Sequence, residues 1–128
     1  MQTSVLLSIK PNFAEKIFGG SKRFEFRRRV FANRNVKKIV VYVSAPVSKV
    51  VGEFEIEDII ELEIENLWDH TKEYSGIPKD YFDTYFSGRD TGFAIKIGKT
   101  HKYETPLELE EDFNVKHAPQ SFIYIEDK

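Results

Sequence analysis

The sequence predicts an α+β domain built on a small, strongly curved sheet or β-barrel of about six strands, with two to three short helices packed at its ends. Several segments alternate apolar and polar residues with the period of two that a half-buried strand requires. Between them lie short segments with helical spacing, bounded by proline or glycine. The 128 residues suit one domain, which we expect to span residues 1–128, and its eleven Phe and six Tyr can fill a core.

The N-terminal segments predict a strand, a short helix and a second strand. Residues 5–10 are apolar and partly β-branched, which is typical of a strand. A proline then begins a helix over residues 11–20, and two glycines end it. Residues 22–29 alternate strictly, which predicts a strand with Phe24 and Phe26 inside the barrel and its charged side chains on the opposite face.

The rest of the chain predicts strands around two helices. In its longest alternating segment the glutamates fall on odd positions, which is typical of a strand with one solvent-exposed face. Gly52 and Asp58 indicate a bend or bulge in that strand. Four aromatic residues of the second helix have a spacing that favours core packing over base stacking. The predicted strands are 38–44, 49–64, 91–97, 101–107 and 121–125, the helices are 66–74 and 78–87, and the four aromatic residues are Tyr81, Phe82, Tyr85 and Phe86.

Charge is segregated along the chain although the formal net charge is only −2. Residues 10–38 contain ten Lys and Arg against two Glu, a balance of +8, so the remainder carries 9 basic and 19 acidic residues, or −10. Such asymmetry indicates a local site for a polyanion. The alternative is that the basic and acidic parts pair with each other across the fold.

Most catalytic signatures are absent from the sequence. Residues 19–22 lack the spacing of a phosphate-binding loop, and the three histidines have no metal-ligand spacing. There is no cysteine, no long apolar segment and no basic, apolar start typical of a signal peptide. We therefore expect a cytoplasmic protein with no metal, no cofactor and no membrane contact; the oligomeric state is not predicted.

The corner between the first two strands is the strongest candidate site. Lys10 ends one strand and Lys22 begins the next, so the short helix between them can bring both to one edge of the sheet. Glu25 and Arg27 are two residues apart in a strand and share a face. Two lysines, a carboxylate and an arginine at one corner can bind a phosphate and hydrogen-bond a base edge.

Lys22 is the residue that we expect to centre this site. It follows two glycines at a helix-to-strand junction, which fixes its backbone and can direct its ammonium into a pocket. The alternative is a turn lysine with free rotamers. If the ammonium of Lys22 does lie in such a pocket, the substitution Lys22→Met is expected to change the free energy of unfolding by only about 0.5 kcal/mol, as at surface sites.

An ordered set of short motifs resembles the ASCH domain family of the PUA-like superfamily. The matching segments cover essentially the whole chain in the family's order, although no single piece is diagnostic. They are Leu7-Ser8-Ile9-Lys10-Pro11, Ala14-Glu15-Lys16-Ile17, Gly20-Ser21-Lys22-Arg23-Phe24-Glu25-Phe26-Arg27, Tyr42-Val43-Ser44-Ala45-Pro46, Val51-Gly52-Glu53-Phe54, Phe93-Ala94-Ile95 and Ala118-Pro119-Gln120-Ser121-Phe122.

The resemblance implies a six-stranded β-barrel with helices over its ends and a function in RNA or nucleotide recognition. It also implies a polar cleft near the first helix and second strand. The positions that match its lining are Ser8, Lys10, Lys22, Glu25, Arg27, Ser44, Gln120 and Ser121.

One branch of the family is an amidohydrolase of N4-acetylated cytidine that uses a lysine, a threonine and a glutamate, and some members are connected with RNA cleavage. Lys22 matches the lysine, whereas Glu25 stands at the threonine's position, and a carboxylate is not a hydroxyl nucleophile.

Three hypotheses remain open at the level of sequence. The first is a regulatory module that binds RNA or a nucleotide-like ligand in a basic cleft. The second is a small hydrolase acting on RNA or a modified nucleoside, with Lys22 and Glu25 as candidate catalytic residues for proton transfer. The third is a transcription-related domain that binds a protein partner and performs no chemistry.

Overall fold

The computed structural model describes residues 2–126, which form one six-stranded sheet and several short helices. The α+β class predicted from the sequence is confirmed. The strands are β1 (Thr3–Ile9), β2 (Phe24–Arg27), β3 (Lys38–Val43), β4 (Lys49–Glu63), β5 (Thr91–Leu107) and β6 (Phe122–Glu126). The helices are α1 (Pro11–Gly19), α2 (Ile64–Thr71), α3 (Lys79–Tyr85) and α4 (Leu109–Phe113), with a 3-10 turn at Lys72–Tyr74.

The sheet is open, and the predicted closure into a barrel is wrong. Its strand order is β2-β5-β4-β3-β1-β6, so β2 and β6 are its two edges. The four residues of β2 pair only with β5, and β6 pairs only with β1. The β2 edge faces β1 and the segment before β6 without backbone pairing. The side chain of Arg27 spans this gap instead, by hydrogen bonds to Ser8 and Ser121.

One pair of predicted strands is a single strand. We expected two separate strands at 91–97 and 101–107, whereas β5 runs without interruption from Thr91 to Leu107. Gly98 is not a turn residue: a Cβ there would lie 3.1 Å from the carbonyl oxygen of Glu55 on β4, so glycine permits close strand contact. The second predicted strand, 22–29, is also shorter than expected, and α4 was not predicted.

The predicted irregularity of β4 is confirmed. Its pairing with β5 shifts register between Val50 and Gly52 and again between Phe54 and Asp58. Gly52 also meets α1 closely, because a Cβ at this position would lie 2.7 Å from the ring of Phe18. These bulges bend β4 and curve the sheet around α1.

Two apolar clusters lie on either side of the residues that form the cleft described below. The first packs α1 against β1, β3 and β4, and it includes Phe31 from the loop after β2. The second packs α2 and α3 against β2 and β5, and both Phe24 and Phe26 are buried there, beneath helices rather than inside a barrel. A third cluster, on the other face of β1 and β3, is covered in part by α4.

Candidate functional site

A cleft of about 820 Å³ opens where the sheet fails to close. One wall comes from the ends of β1 and β3, which are parallel neighbours, so their last residues meet at one edge. The segment that leads into β6 lies beside them, because Ser8 N–H donates to the Ser121 carbonyl (3.0 Å). The opposite wall consists of β2 and α3. The cleft is large enough for one nucleotide-sized ligand.

All eight residues predicted for the site line this cleft. They come from four separate chain segments, which the fold brings together. They are Ser8, Lys10, Lys22, Glu25, Arg27, Ser44, Gln120 and Ser121.

Lys22 lies at the floor of the cleft and is only 2% exposed. Its ammonium lies 5.2 Å from the ring centroid of Phe13 and 4.9 Å from that of Phe26, and it donates a hydrogen bond to the carbonyl of Ser75 (2.7 Å). Gly76 packs directly against its aliphatic stem, since a Cβ there would lie 2.5 Å from the Lys22 Cβ. Lys22 is therefore neither a turn lysine with free rotamers nor a surface residue, so the surface position on which the expected small effect on folding depends is not what the structure has.

Burial lowers the pKa of Lys22 from 10.5 to about 8. Removal of the amine from water is the main cause, because desolvation disfavours its charged form. Glu25 opposes this shift by attraction, while Lys16 and Arg27 add to it by repulsion. Near neutral pH the amine is therefore mostly protonated but gives up its proton more readily than an exposed lysine.

Glu25 and Arg27 form a buried ion pair on one wall of the cleft. Arg27 Nη2 lies 2.9 Å from Glu25 Oε2, and the two side chains are 13% and 7% exposed. The same Nη2 donates to the Ser8 carbonyl (2.8 Å), and Nη1 donates to Ser121 Oγ (3.3 Å). Arg27 therefore links β2 to β1 and to the segment before β6, and it fixes the orientation of the only carboxylate among the lining residues.

The lining of the cleft has a marked excess of cations. It contains six basic side chains, Lys10, Lys22, Arg27, Arg28, Arg29 and Arg89, and the single acid Glu25. Two of the exposed cations, Lys10 and Arg28, make hydrogen bonds to uncharged groups. Lys10 Nζ donates to the Tyr81 hydroxyl (3.1 Å), and Arg28 Nε donates to the Tyr85 carbonyl (2.7 Å) while its guanidinium lies over the Tyr85 ring. These contacts orient the charges without neutralising them.

Sequence reasoning missed the contribution of α3 to the cleft. Tyr81, Tyr85 and Arg89 line it, whereas Phe82 and Phe86 are fully buried, as their helical spacing predicted. The spacing of four residues between Tyr81 and Tyr85 was the available signal, because it places both side chains on one side of α3, whereas Arg89 lies beyond the end of that helix. What the sequence could not show was that this side faces β2.

The serines of the cleft have partners within the fold. Ser8 Oγ donates to the Pro119 carbonyl (2.7 Å), which fixes the segment before β6 against β1. The backbone N–H of Ser44 donates to the Ile9 carbonyl (3.0 Å) and so joins the end of β3 to the end of β1. Gln120 lies between two anchored residues, Pro119 and Ser121, and lines the cleft.

Two further properties concern the described part of the chain. Within residues 2–126 no group of three or more His, Asp or Glu side chains is arranged to hold a metal ion. None of the described helices has the length and apolar character needed to cross a membrane.

Comparison with known proteins identifies relatives of different lengths. No family model matches the chain. A segment of the large ribosomal subunit protein uL22 of Ureaplasma parvum is 30% identical over 122 residues, which is 95% of this chain and 39% of that protein. A segment of ATP synthase subunit alpha of the same organism is 33% identical over 124 residues, 95% of this chain and 15% of that protein. The chain thus spans at most about two fifths of these relatives.

A third relative matches over most of its own length. The ASCH domain-containing ribonuclease of Zymomonas mobilis is 26% identical over 123 residues, which is 94% of this chain and 82% of that protein. The crystal structure of ASCH from Zymomonas mobilis has a TM-score of 0.86 and 26% identity, and the match covers 96% of this chain and 87% of that one.

In sequence and in fold the chain is similar to the ASCH domain protein of Zymomonas mobilis, in agreement with the resemblance found in the motifs.

Proposed function

We propose that the cleft binds single-stranded RNA, with phosphates held at its mouth and one nucleotide near its floor. The observation that carries this proposal is the lining itself, in which six cations face a single carboxylate. Among the described residues, no carboxylate lies within salt-bridge distance of Lys10, Arg28, Arg29 or Arg89, so these charges are available to an anionic ligand. Lysine and arginine contacts to phosphate supply most of the affinity in such complexes.

Two relatives support RNA as the ligand. The Zymomonas mobilis protein is named a ribonuclease, and the Ureaplasma parvum protein is named a ribosomal subunit protein, although this chain matches only 39% of the latter. A similar segment also occurs in ATP synthase subunit alpha, whose name does not refer to RNA. The argument for RNA therefore rests mainly on the cleft.

Salt dependence of RNA binding tests the proposal. If the four cations at the mouth each neutralise one phosphate, log Kd should change with log salt with a slope of magnitude about 3, at about 0.7 per phosphate for single strands. Fluorescence anisotropy with a labelled RNA pentamer at several salt concentrations measures it. Affinity that does not respond to salt would exclude the cation cluster as the contact surface.

A matched pair of variants locates the contact. Arg89→Gln removes a charge from the cleft, whereas Lys99→Gln removes one from an exposed position on β5 outside it. The first should weaken RNA binding about fivefold, equivalent to about 1 kcal/mol, and reduce the salt slope. Lys99→Gln should change neither the RNA affinity nor the salt slope. Equal effects of the two substitutions would mean that binding follows overall charge and not the cleft.

RNA cleavage is a second candidate function, favoured by the lowered pKa of Lys22 in a cleft that also holds Glu25. Glu25 would accept the 2′-hydroxyl proton as the 2′ oxygen attacks phosphorus. Lys22 would donate a proton to the departing 5′ oxygen as that P–O bond breaks. Incubation of labelled RNA with the protein separates the two functions. Cleavage that Lys22→Met and Glu25→Gln both abolish indicates an enzyme, whereas tight binding without cleavage indicates a binding module.

A further inference from the structure

Half of the basic residues in the segment 10–38 lie outside the cleft. Five of the ten line it, and three of the other five fall close together at Arg34, Lys37 and Lys38. The loop between β2 and β3, residues 28–37, contains four basic residues and no acidic one. It begins at the cleft, which its first two residues line. This loop is therefore a basic segment that leads away from the proposed RNA site.

The β2–β3 loop is held on both sides of the gap where the sheet does not close. Phe31 anchors it, since this side chain is 1% exposed and belongs to the first apolar cluster. The backbone N–H of Asn33 donates to the hydroxyl of Tyr124 on β6 (3.0 Å). On the other side, the guanidinium of Arg34 lies 5.9 Å from the ring centroid of Phe93 on β5. These contacts give the charges of the loop a fixed place relative to the cleft.

A second, smaller pocket lies at the far end of this loop. It has a volume of about 270 Å³, and Asn33, Asn35 and Lys37 line it together with the first residues of β1. The lining contains two lysines and no acidic residue. One of them, Lys38, is paired with Glu53 (3.6 Å). The other, Lys37, is exposed, and no carboxylate in the described part of the chain lies within salt-bridge distance of it. Lys37 is therefore the cation that this pocket offers to an anion.

The small size of the second pocket favours a piece of RNA backbone over a base. Its volume is about a third of that of the cleft and lies below the range typical of sites for whole small molecules. Lysine binds phosphate as a compact point charge, and side-chain amides hydrogen-bond phosphate and sugar oxygens. Asn33 Oδ1 accepts from the backbone N–H of Asn35 (2.9 Å), which fixes the orientation of one lining amide. The lining therefore matches a phosphate and the ribose beside it.

We propose that one RNA strand runs from the cleft along the β2–β3 loop and places a backbone phosphate beside Lys37 in the second pocket. This inference rests on the proposed function, because the same strand must occupy the cleft. Thr3 in the second pocket and Ser8 in the cleft both belong to β1, and their separation of five residues corresponds to about 16 Å. At about 3.4 Å per nucleotide of a stacked strand, about five nucleotides bridge this distance, and an extended strand needs fewer.

Binding of RNAs of two lengths to the full chain tests the inference. The probes are a labelled trimer, which is too short to reach the second pocket from the cleft, and a labelled decamer, which is long enough to occupy both. Lys37→Gln should weaken binding of the decamer about threefold, as expected for the loss of one exposed charge contact. It should also lower the salt slope of the decamer by about 0.7, because one phosphate contact is lost. The affinity of the trimer should not change.

Lys99→Gln is the matched control for this substitution. Lys99 is also an exposed lysine, but it lies on β5 and lines neither the cleft nor the second pocket. Its replacement removes the same charge from the protein, so the affinity and the salt slope of the decamer should stay as in the wild type. Equal weakening by Lys37→Gln and Lys99→Gln would show that the decamer responds to overall charge, and it would overturn the inference.

Backbone amide shifts of the wild type locate the strand without any substitution. The decamer should shift the amides of Asn33 and Asn35 together with those of the cleft residues Glu25 and Arg27, whereas the trimer should shift only the cleft. Shifts confined to the cleft with both RNAs overturn the inference and leave RNA binding in the cleft in place. Shifts at Asn33 and Asn35 with the trimer also overturn it, because they indicate a separate site and not one spanning strand. If neither RNA shifts the cleft amides, both proposals fail.

Discussion

Replacement of Lys22 by methionine should change how the stability of the protein depends on pH. The structure holds the amine in a folded state where its pKa is about 8, against 10.5 when unfolded. Below pH 8 the amine is charged in both states, and the folded state carries the full cost of desolvation. Between pH 8 and 10.5 the unfolded state binds more protons, so the stability of the wild type rises with pH through this window.

The size of this effect follows from the two pKa values. A difference from 10.5 to about 8 corresponds to about 3 kcal/mol, at about 1.4 kcal/mol for each pKa unit. Most of this, about 2 to 3 kcal/mol, should be regained between pH 7 and pH 10. Methionine fills most of the same space without an ionisable group, so the wild type should gain about that much stability relative to the Lys22→Met variant over this range.

Urea denaturation of both proteins at several pH values measures this difference. At a single pH the difference in unfolding free energy between the wild type and Lys22→Met contains two opposing effects. Methionine removes a desolvated charge, but it also leaves the Ser75 carbonyl without its hydrogen-bond donor. The way in which this free-energy difference changes with pH isolates the contribution of the Lys22 amine. Lys10→Met replaces an exposed lysine of the same cleft, and its unfolding free energy should change with pH in parallel with that of the wild type. A constant difference between wild type and Lys22→Met from pH 7 to pH 10 would refute the argument that burial perturbs this amine.

Two further predictions concern groups around the cleft. Arg27→Met should lower the unfolding free energy measured by urea denaturation by about 3 kcal/mol. The substitution leaves the buried Glu25 carboxylate unpaired and removes the hydrogen bond to the Ser8 carbonyl. A loss below about 1 kcal/mol would show that these contacts do not stabilise the fold. Gly52→Ala should lower thermal stability more than Gly98→Ala, by about 1–3 kcal/mol. A Cβ at Gly52 would lie 2.6 Å from the His101 carbonyl, against 3.1 Å at Gly98 from that of Glu55, so the reverse order would contradict the close approach of β5 to β4 at Gly52.

The β1–α1–β2 corner could be predicted because its signals are local. A proline begins α1, and the helix ends at glycine, Gly20 adopting a positive φ of 93°. The alternation around Glu25 placed the side chains of β2 on the correct faces. These features depend on residues close in sequence, and they were sufficient for the two lysines, Glu25 and Arg27 of the corner. Ser44, Gln120 and Ser121 were predicted only from the family resemblance.

The features that the sequence did not show depend on distant contacts. Closure of the sheet requires β2 to pair on both sides, and nothing within its four residues shows that Arg27 will bridge the gap with its side chain. The burial of Lys22 depends on the turn at Ser75 and Gly76, more than fifty positions along the chain. The glycine in the middle of β5 resembled a turn signal, but it reflects contact with Glu55 of the neighbouring strand.

The most direct test of RNA binding in the cleft is a nuclear magnetic resonance titration of the isotope-labelled protein with an RNA pentamer. Binding in the cleft predicts that backbone amide shifts concentrate at β2, at the ends of β1 and β3, and at the segment around Gln120. The exposed glutamates of β4, such as Glu55 and Glu61, lie outside the cleft and should shift little. Shifts that concentrate on β4 and spare Lys22, Glu25 and Arg27 would contradict the assignment of the cleft as the RNA site.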